Sequence, residues 1–273
     1  MGNWAKSIFG RESFDRVGIA LAGTTGDIYE KKLLSLFDKV VSSKDRVYHG
    51  HLVKKDSMYY PILTNIYGGP AMMDSLTKMY DGGCRNVIFI GYAYAGFKNQ
   101  LDVGSIVLPT QSYHFDGIYS SLDPSRTISL PNKEFKFKVK GILNKNHINY
   151  EGGINISVPA VTFQLPHANE KYRKINPVSL EMELSSCFSR ARDIGMRSAG
   201  ILIISDNRIS SIGDESKHMI REGSKFKVME CLVNNLKKLD FPNLKTKREF
   251  NINEHLASII ESSEDTRNIY KNK

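Results

Sequence analysis

An unbroken apolar run, AGILII at residues 199–204, is followed directly by the polar triplet Ser-Asp-Asn at residues 205–207. A short aliphatic run that ends at turn-forming residues is typical of a strand buried on both faces. Upstream, helical spacing predicts a helix over residues 177–194, with Gly195 in the position that ends a helix. Downstream, two acids begin a predicted helix over residues 214–239. A buried strand between two helices predicts an α/β fold.

The alternation of strands and helices continues toward the amino terminus. Apolar runs predict strands at residues 17–22, 59–66, 86–90, 104–108 and 154–161, and helical spacing predicts helices at residues 28–41 and 71–80. Glycine-bearing turns are expected at Gly23 and at residues 91–96, and Pro109 is expected to close a strand. The sequence therefore predicts a single three-layer α/β domain, with a central mixed β-sheet flanked by helices, over residues 1–240. Residues 241–273 are expected to form a peripheral polar extension.

A polar and basic segment occupies residues 120–150. Within it, lysines alternate with Phe135 and Phe137, which favours either a half-exposed strand or the start of an amphipathic helix. No RNA-binding signature accompanies these lysines, so we interpret them as a solvated face and expect no nucleic-acid partner. His114 and Asp116 share one face of a predicted strand, but the sequence offers no third ligand, and we expect no metal site.

The composition is that of a globular protein with an anionic partner. The chain has 273 residues, and its 38 Lys and Arg against 29 Asp and Glu give a net charge of +9. This charge suits an anionic partner such as phosphate, a nucleotide or nucleic acid, without choosing among them. The three cysteines are widely spaced, as is usual for reduced thiols. Without an apolar run of membrane-spanning length or a signal peptide pattern, we expect a cytoplasmic protein with no membrane partner and no cofactor.

Asp206 is the first candidate for catalysis. Ligands of open α/β sheets bind beyond the carboxyl ends of strands, and Asp206 follows four buried aliphatic residues at such an end. A carboxylate there lies at the rim of a cleft. An Asx-turn or a helix N-cap would equally explain an aspartate at this position.

A second group of acids lies in the stretch LEMEL at residues 180–184. If Leu180 and Leu184 of a helix face the core, Glu181 and Glu183 cannot both lie on its outer face. A carboxylate near the core needs a partner or a ligand. The alternative is a salt-bridged helical surface.

These motifs carry a resemblance to a known family. EME at residues 181–183, followed by IISD at residues 203–206, resembles the nucleoside phosphorylases, a superfamily that includes purine nucleoside phosphorylases, uridine phosphorylases and hydrolytic methylthioadenosine nucleosidases. Four further motifs follow the family in order: GGP at 68–70, VIFIG at 87–91, LDVGSIV at 101–107 and HFD at 114–116. The likeness covers about residues 14–239 and implies the nucleoside phosphorylase fold.

The resemblance also implies a reaction at the glycosidic bond of a nucleoside. Asp206 matches the residue that assists departure of a purine base as general acid, and Glu183 matches the carboxylate that holds the ribose hydroxyls. Met182 matches the residue that packs on the sugar, and Glu181 supports this motif. Phe163 falls where the family stacks an aromatic ring on the base or the sugar, although aromatic residues also pack in cores.

The phosphate site implied by the resemblance departs from the family pattern. Gly23, Gly91 and Tyr92 fall at its glycine turns, but Phe89 stands where many members have an arginine. His49 occupies the place of an arginine that some members lend to a neighbouring subunit. Because arginine is the usual bidentate ligand of phosphate, the sequence predicts an altered or lost phosphate site. Arg208 and His51 are alternative cations, without a spacing argument for either.

Three functions are therefore compatible with the sequence. The first is a phosphorylase that uses inorganic phosphate as co-substrate, the second is a hydrolytic nucleosidase in which Asp27 positions water, and the third is a non-catalytic nucleoside-binding or partner subunit. The stretch 169–172 distantly resembles the segment with which uridine phosphorylases bind uracil, which makes Asn169 and Lys171 candidate base ligands and slightly favours uridine. Family members are usually homo-oligomers, often hexamers, so we expect a homo-oligomer with His49 acting across a subunit boundary.

Overall fold

The computed structural model describes residues 4–23, 27–44, 48–97, 101–164, 170–211 and 213–242. Its strands are β1 (Val17–Ala22), β2 (Lys39–Lys44), β3 (His49–Lys55), β4 (Met58–Ile66), β5 (Asn86–Ala95), β6 (Ile106–His114), β7 (Ile128–Ser129), β8 (Glu151–Ser157), β9 (Ser179–Glu181) and β10 (Arg197–Asp206). Its α-helices are α1 (Trp4–Phe9), α2 (Asp27–Leu34), α3 (Gly69–Asp81), α4 (Ile118–Leu122), α5 (Lys133–Lys145), α6 (Glu170–Ile175), α7 (Leu184–Asp193) and α8 (His218–Val233). Three 3₁₀ turns cover Val161–Phe163, Glu215–Lys217 and Leu236–Leu239.

The strands found in the described ranges all belong to one mixed 10-stranded sheet. Strand β5 lies at its centre, parallel to β1 on one side and to β10 on the other. Beyond β1, the sheet continues through β4, β3 and β2. On the other side the strands run from β10 through β6 and β8 to β9, and β9 pairs again with the end of β5. This return pairing closes part of the sheet and brings β9 beside the carboxyl ends of the parallel strands.

Helices cover both faces of the sheet, as the sequence predicts. Helices α1, α3 and α7 pack on one face, where Phe89 and Leu184 belong to the same buried cluster. Helices α2, α5 and α8 pack on the other face, around Ile90 and Leu232. The three-layer α/β architecture is therefore confirmed. The helices on each face shield alternate residues of the central strands from water. This burial of apolar side chains is the main contribution to the stability of the fold.

The predicted helix over residues 28–41 is wrong in its second half. Helix α2 ends at Leu34, and residues 39–44 form strand β2. Val40 of β2 pairs with Val53 of β3 in an antiparallel register. β-Branched residues suit a strand, and the apolar spacing that resembles a helical period belongs to two separate elements.

The predicted helix over residues 177–194 begins later than expected. Residues Ser179–Glu181 form strand β9, which pairs with both β5 and β8, and helix α7 starts at Leu184. Tertiary strand pairing here overrides the helical spacing of the leucines. The carboxyl end of this helix agrees with the prediction, since Gly195 has the positive φ of 73° expected of a terminating glycine.

Two strands continue through residues that the sequence suggests would end them. Strand β5 runs through Gly91 to Ala95, so residues 91–95 are not a glycine turn; Gly91 pairs with Leu202. Strand β6 runs through Pro109 to His114, with an irregular register at that proline. A proline is tolerated where the register shifts because the ladder hydrogen bond is already lost there. Strand β8 covers residues 151–157, earlier than the predicted 154–161.

The remaining predictions concern the basic segment and the carboxyl terminus. Residues 133–145 form helix α5. Of the two structures predicted for the segment around Phe135 and Phe137, the amphipathic helix is therefore correct and the half-exposed strand is wrong. Phe135 is buried and Phe137 is exposed, as an amphipathic helix requires. Most of the expected extension at residues 241–273 lies outside the described residues, which end at Pro242. Within the described ranges, no helix combines the length and the apolar character needed to cross a bilayer.

Candidate active site

A cavity of about 340 Å³ lies beyond the carboxyl ends of the parallel strands β1, β5 and β10. Its remaining wall is formed by the turn between β9 and α7 and by the start of α8. The described residues that line it are Ala22, Gly23, Tyr67, Tyr92, Ala93, Val161, Gln164, Glu181, Met182, Glu183, Ser205, Asp206, His218, Arg221 and Glu222. Volumes of this order are typical of small-molecule sites. The cavity therefore contains the acids of both predicted motifs.

Glu181 is held by hydrogen bonds to its own surroundings. One carboxylate oxygen accepts the backbone N–H groups of Glu183 and Leu184, both at 2.7 Å. The other accepts the amide of Asn155 at 2.7 Å and the hydroxyl of Ser157. Burial raises the pKa of Glu181, and these four donors oppose the rise. The partner required for a buried carboxylate is thus the amino-terminal turn of α7, not an exposed cation.

Glu183 follows at the residue before α7. Its Oε1 accepts the backbone N–H of Gly68 at 2.6 Å, which joins the β9–α7 turn to the loop before α3. Gly68 has a φ of 82°, a conformation that side chains other than glycine rarely adopt. Burial, reinforced by the neighbouring charge of Glu181, raises the pKa of Glu183 to about 8. The carboxyl group of Glu181 also accepts the backbone N–H of Glu183, so the two acids lie side by side at the start of α7.

Met182 lies between the two acids in sequence and supplies an apolar part of the cavity wall. It is 6% exposed and packs in a small cluster with Tyr94, Leu180 and Tyr172. A flexible thioether in this position can adapt to the face of a bound ring. The EME motif thus places two carboxyl groups and one apolar side chain along a single wall.

Asp206 is the last residue of β10 and lies opposite Tyr94 of β5 in the register. Burial raises its pKa, whereas the Ser205 hydroxyl, which donates to its Oδ1, and the nearby Arg221 oppose the rise. The Asx-turn that the sequence allows is made instead by Asn207, whose Oδ1 accepts the N–H groups of residues 209 and 210. The carboxyl group of Asp206 therefore lines the cavity without a capping role.

Sequence reasoning missed the residues that α8 contributes. Arg221 is buried at 6% exposure and lies within 3.4 Å of the carbonyl oxygen of Ser205. The His218 ring, one turn earlier, is 2.7 Å from the hydroxyl of Tyr29. The signal was present, because His218 and Arg221 are three residues apart on a predicted helix and therefore share a face. The cations weighed from the sequence did not include this helix.

Tyr92 belongs to the same wall and is hydrogen-bonded to it. Its hydroxyl donates to the carboxylate of Glu222, and burial raises the pKa of the phenol. The ammonium group of Lys225 lies 4.5 Å from the centre of the Tyr92 ring and is almost fully buried. Tyr92 is therefore held by a hydrogen bond to Glu222 and by the contact of its ring with Lys225.

Several predicted site residues do not line this cavity. Phe163 is 56% exposed on a 3₁₀ turn, although its neighbours Val161 and Gln164 reach the wall. Lys171 is exposed on α6, and Gly91 lies within β5. Asn169 lies outside the described residues.

The alternative cations and the proposed water-positioning acid also fall elsewhere. Arg208 is exposed and is not among the lining residues. Asp27 begins α2, but its side chain is outside the described part of the chain. His49 and His51 both lie on β3, where they face Glu30 of α2. The predicted action of His49 across a subunit boundary stays a prediction.

In the part of the chain that the structure describes, two groups outside the cavity combine residue types that can act as metal ligands. Nδ1 of His114 lies 3.7 Å from Oδ1 of Asp116, and the Asp116 carboxylate also accepts the hydroxyls of Ser185 and Ser186. This pair thus supports the start of α7. In the second group, one donor atom from each of Glu30, His49 and His51 lies within 4.8 Å of the others.

Solved structures with the same fold include enzymes that act on nucleosides. A purine nucleoside phosphorylase from Toxoplasma gondii, solved with immucillin-H, matches with a TM-score of 0.69 and 16% identity, over 84% of this chain and 94% of that one. A 5'-methylthioadenosine/S-adenosyl homocysteine nucleosidase from Campylobacter jejuni matches with a TM-score of 0.67 and 13% identity, over 82% and 99%. The Helicobacter pylori MTAN matches with a TM-score of 0.67 and 17% identity, over 82% and 100%.

At these identities the structural likeness establishes the fold alone. The sequence itself matches a family model described as Phosphorylase superfamily over residues 35–237. That match covers most of the chain, both acidic motifs and the start of α8. The resemblance inferred from the motifs is therefore confirmed, and this chain belongs to the phosphorylase superfamily.

Proposed function

We propose that this protein cleaves the N-glycosidic bond of a nucleoside and transfers the pentose to inorganic phosphate, giving free base and ribose 1-phosphate. One observation carries the proposal. Asp206 and Glu183, from separate elements, line a single cavity of about 340 Å³ together with Met182. This is the arrangement that a nucleoside requires, with an acid at its base and a carboxyl group and an apolar side chain at its sugar.

The two acids suit the two ends of the reaction. Departure of the base leaves an oxocarbenium-like sugar, and the leaving base needs a proton. Burial raises the pKa of Asp206, which favours the protonated form that a general acid requires. Glu183 accepts hydrogen bonds from the ribose hydroxyls, and in its ionised form it stabilises the positive charge that develops on the sugar. Glu181 acts as a positioning residue, because it holds the turn that carries Glu183.

Arg221 and His218 are the proposed phosphate ligands in the wall of the cavity. A guanidinium group matches the oxygen geometry of phosphate, and a histidine adds a second donor. Among the phosphate ligands predicted from the sequence, Gly23 and Tyr92 also line the cavity. The anion would therefore lie between the end of β1 and the start of α8.

A second function, hydrolysis of the same bond, is favoured by the charge of the cavity wall. The described lining carries four carboxyl groups, from Glu181, Glu183, Asp206 and Glu222, against the guanidinium of Arg221 and one imidazole. A phosphate dianion is repelled by carboxylates at close range, whereas water is not. The pKa values of Glu183 and Asp206 are both raised, and protonation of these groups reduces the repulsion of phosphate. For this reason we favour phosphorolysis over hydrolysis.

Asp206 also bears on the choice of base. A purine leaves more readily when an acid protonates it, so we propose purine nucleosides as the first substrates to test. The preference for uridine depends on Asn169 and Lys171, neither of which belongs to the described wall of the cavity. Uridine is therefore the comparison substrate.

The decisive experiment measures base release and identifies the sugar product. The purified protein is incubated with inosine, 5'-methylthioadenosine or uridine, each with and without inorganic phosphate. Ribose 1-phosphate, or its methylthio analogue, formed only when phosphate is present supports phosphorolysis. Free sugar at equal rates with and without phosphate establishes hydrolysis instead. Binding of the nucleosides with no release of base refutes both proposals and leaves the non-catalytic alternative.

A further inference from the structure

We propose that Glu30, His49 and His51 bind a divalent first-row transition metal ion, with zinc as the best fit. The three residues form a site on the outer part of the sheet, separate from the nucleoside cavity, because none of them lines it. His49 and His51 are two residues apart on β3, so both rings project from the same face of the sheet. Glu30 reaches them from α2, which packs over that face.

The distances match a metal-ligand geometry. Nδ1 of His49 lies 3.1 Å from Oε2 of Glu30, and Nε2 of His51 lies 3.4 Å from Oε1 of the same carboxylate. Zinc bonds of about 2.0–2.1 Å at tetrahedral angles separate neighbouring ligand atoms by about 3.3 Å. All three donor atoms lie within 4.8 Å of one another, so small side-chain rotations suffice to surround one ion.

The donor set is also chemically suitable. Two imidazoles and one carboxylate are a combination that zinc and other transition metals accept, and three protein ligands leave one position for water or another ligand. With both imidazoles neutral, the three ligands carry a single negative charge, which is smaller than the charge of a divalent ion. His51 is 1% exposed, whereas the His49 side chain is 26% exposed, and this half-open side gives an ion access.

Neighbouring strands hold the ligands in place, as metal sites require. The hydroxyl of Ser43, on β2, lies 2.7 Å from Nδ1 of His51. The other ring nitrogen, Nε2, faces Glu30. The hydroxyl of Thr64, on β4, donates to Oε2 of Glu30 at 2.6 Å. The Thr64 contact fixes the orientation of the Glu30 carboxylate, and a Ser43 oxygen that accepts the Nδ1–H of His51 fixes that ring and increases the basicity of its Nε2. The sequence predicted no metal site because only His114 and Asp116 were considered and no third ligand was found for them. Glu30 is on α2, whereas His49 and His51 are on β3, so no local spacing links the three residues.

A bound ion would fasten α2 to the sheet next to the nucleoside cavity. Glu30 is preceded on α2 by Tyr29, whose hydroxyl contacts His218 in the cavity wall. An ion that fixes Glu30 therefore also limits the movement of Tyr29. The metal acts here on the position of α2 and takes no part in cleavage of the glycosidic bond.

The test uses the full chain without a histidine tag, freed of metal by dialysis against a chelator. Cobalt(II) is titrated while the visible spectrum is recorded, and zinc then competes for the site. We expect one cobalt ion per chain, with the intense visible absorption of four-coordinate cobalt, and displacement by zinc. The variants Glu30→Gln, His49→Gln and His51→Gln should each weaken the affinity by at least about 100-fold, since loss of an outer partner alone costs about 10–100-fold.

The matched control is His147→Asn, which removes an exposed histidine outside the site in a conformation that asparagine tolerates. This variant should bind cobalt as the wild type does. Ser43→Ala should keep the stoichiometry and lose about tenfold in affinity. Circular dichroism identifies any variant that fails to fold, and His49→Gln, at the half-open side, remains informative if His51→Gln does not. Failure of the wild type to bind, or binding by folded His49→Gln equal to the control, would overturn the proposal.

Discussion

Replacement of Asp206 by asparagine tests the proposed general acid with little change in shape. Asparagine has the same size and keeps an oxygen that can accept the hydroxyl of Ser205, but it cannot supply the proton. Burial raises the pKa of Asp206, so the ionised carboxyl group is unfavourable in the folded protein. The neutral amide removes this cost. We therefore expect Asp206→Asn to fold and to melt no earlier than the wild type.

The expected loss of activity follows from the role assigned to the proton. General acid catalysis by a positioned side chain contributes about 10²–10⁴-fold. Asp206→Asn should accordingly reduce the kcat for inosine by this factor, a rise of about 2.7–5.4 kcal/mol in the barrier at about 1.36 kcal/mol per factor of ten. The KM for the nucleoside should change far less, because the ribose contacts proposed for Glu183 are retained.

The assay compares inosine with 7-methylguanosine, whose base already carries a positive charge. That base leaves without an added proton, so Asp206→Asn should lose less than about tenfold with it while losing about 10²–10⁴-fold with inosine. Base release is followed by ultraviolet absorbance at saturating phosphate. Equal losses with both substrates would show that the variant disturbs the site instead of removing an acid. Unchanged turnover of inosine would refute the assigned role altogether.

The remaining predictions concern the ribose carboxyl group, the cation of the cavity, and two glycines that do not line the cavity. Glu183→Ala should weaken nucleoside binding by about 10–100-fold, since hydrogen bonds to a charged group are worth about 1.5–3 kcal/mol. In the wild type, the affinity measured by calorimetry should rise as the pH rises through about 8, because the ionised carboxylate accepts hydrogen bonds more strongly and its pKa is raised to about 8. Arg221→Met should raise the KM for phosphate. Because the charge of Arg221 lowers the pKa of Asp206 in the wild type, its removal should raise that pKa and move the high-pH limb of kcat to higher pH; an unmoved limb would contradict this contact. Gly96→Ala places a Cβ 1.9 Å from a backbone oxygen and should destabilise the protein by at least about 1–3 kcal/mol in urea unfolding, whereas Gly141→Ala, in an open helical position, should stabilise it by about 0.5–1 kcal/mol.

The central strands could be predicted from the sequence because their burial is local in origin. Strands β1 and β10 are aliphatic runs bounded by turn-forming residues, and both lie close to the predicted limits. Burial on both faces gives such a run its signal without knowledge of its neighbours. The same reasoning places Asp206 at a strand end, and the structure has it there.

The acidic turn could not be predicted in this way. Strand β9 has only three residues, and it exists because β5 and β8 supply its hydrogen bonds. A contact between residues so distant in the chain leaves no periodic pattern in the short segment itself. The spacing of Leu180 and Leu184 therefore indicates a helix, while the fold divides this stretch between a strand and a helix.

Arg221 illustrates a different limit. The sequence search for a cation examined residues close to the glycine turns and to Asp206, whereas Arg221 lies 15 residues beyond Asp206 and returns to the cavity on α8. Its position depends on the loop between β10 and α8 and on the packing of α8 against the sheet. The spacing of His218 and Arg221 shows that they share a face of α8, but no local rule places that face against the cavity.

The geometry assigns different work to the two acids of the EME motif. Glu181 uses both carboxylate oxygens to hold four donors, including two N–H groups at the start of α7, so it has little capacity left for a ligand. Glu183 is fixed by the N–H of Gly68, and its pKa is raised by burial and, to a smaller extent, by the neighbouring Glu181. In the proposed reaction, burial and Glu181 would therefore oppose ionisation of Glu183 until the sugar becomes cationic. A positive charge on the pentose would favour ionised Glu183, which makes the pair more complementary to the transition state than to the bound nucleoside.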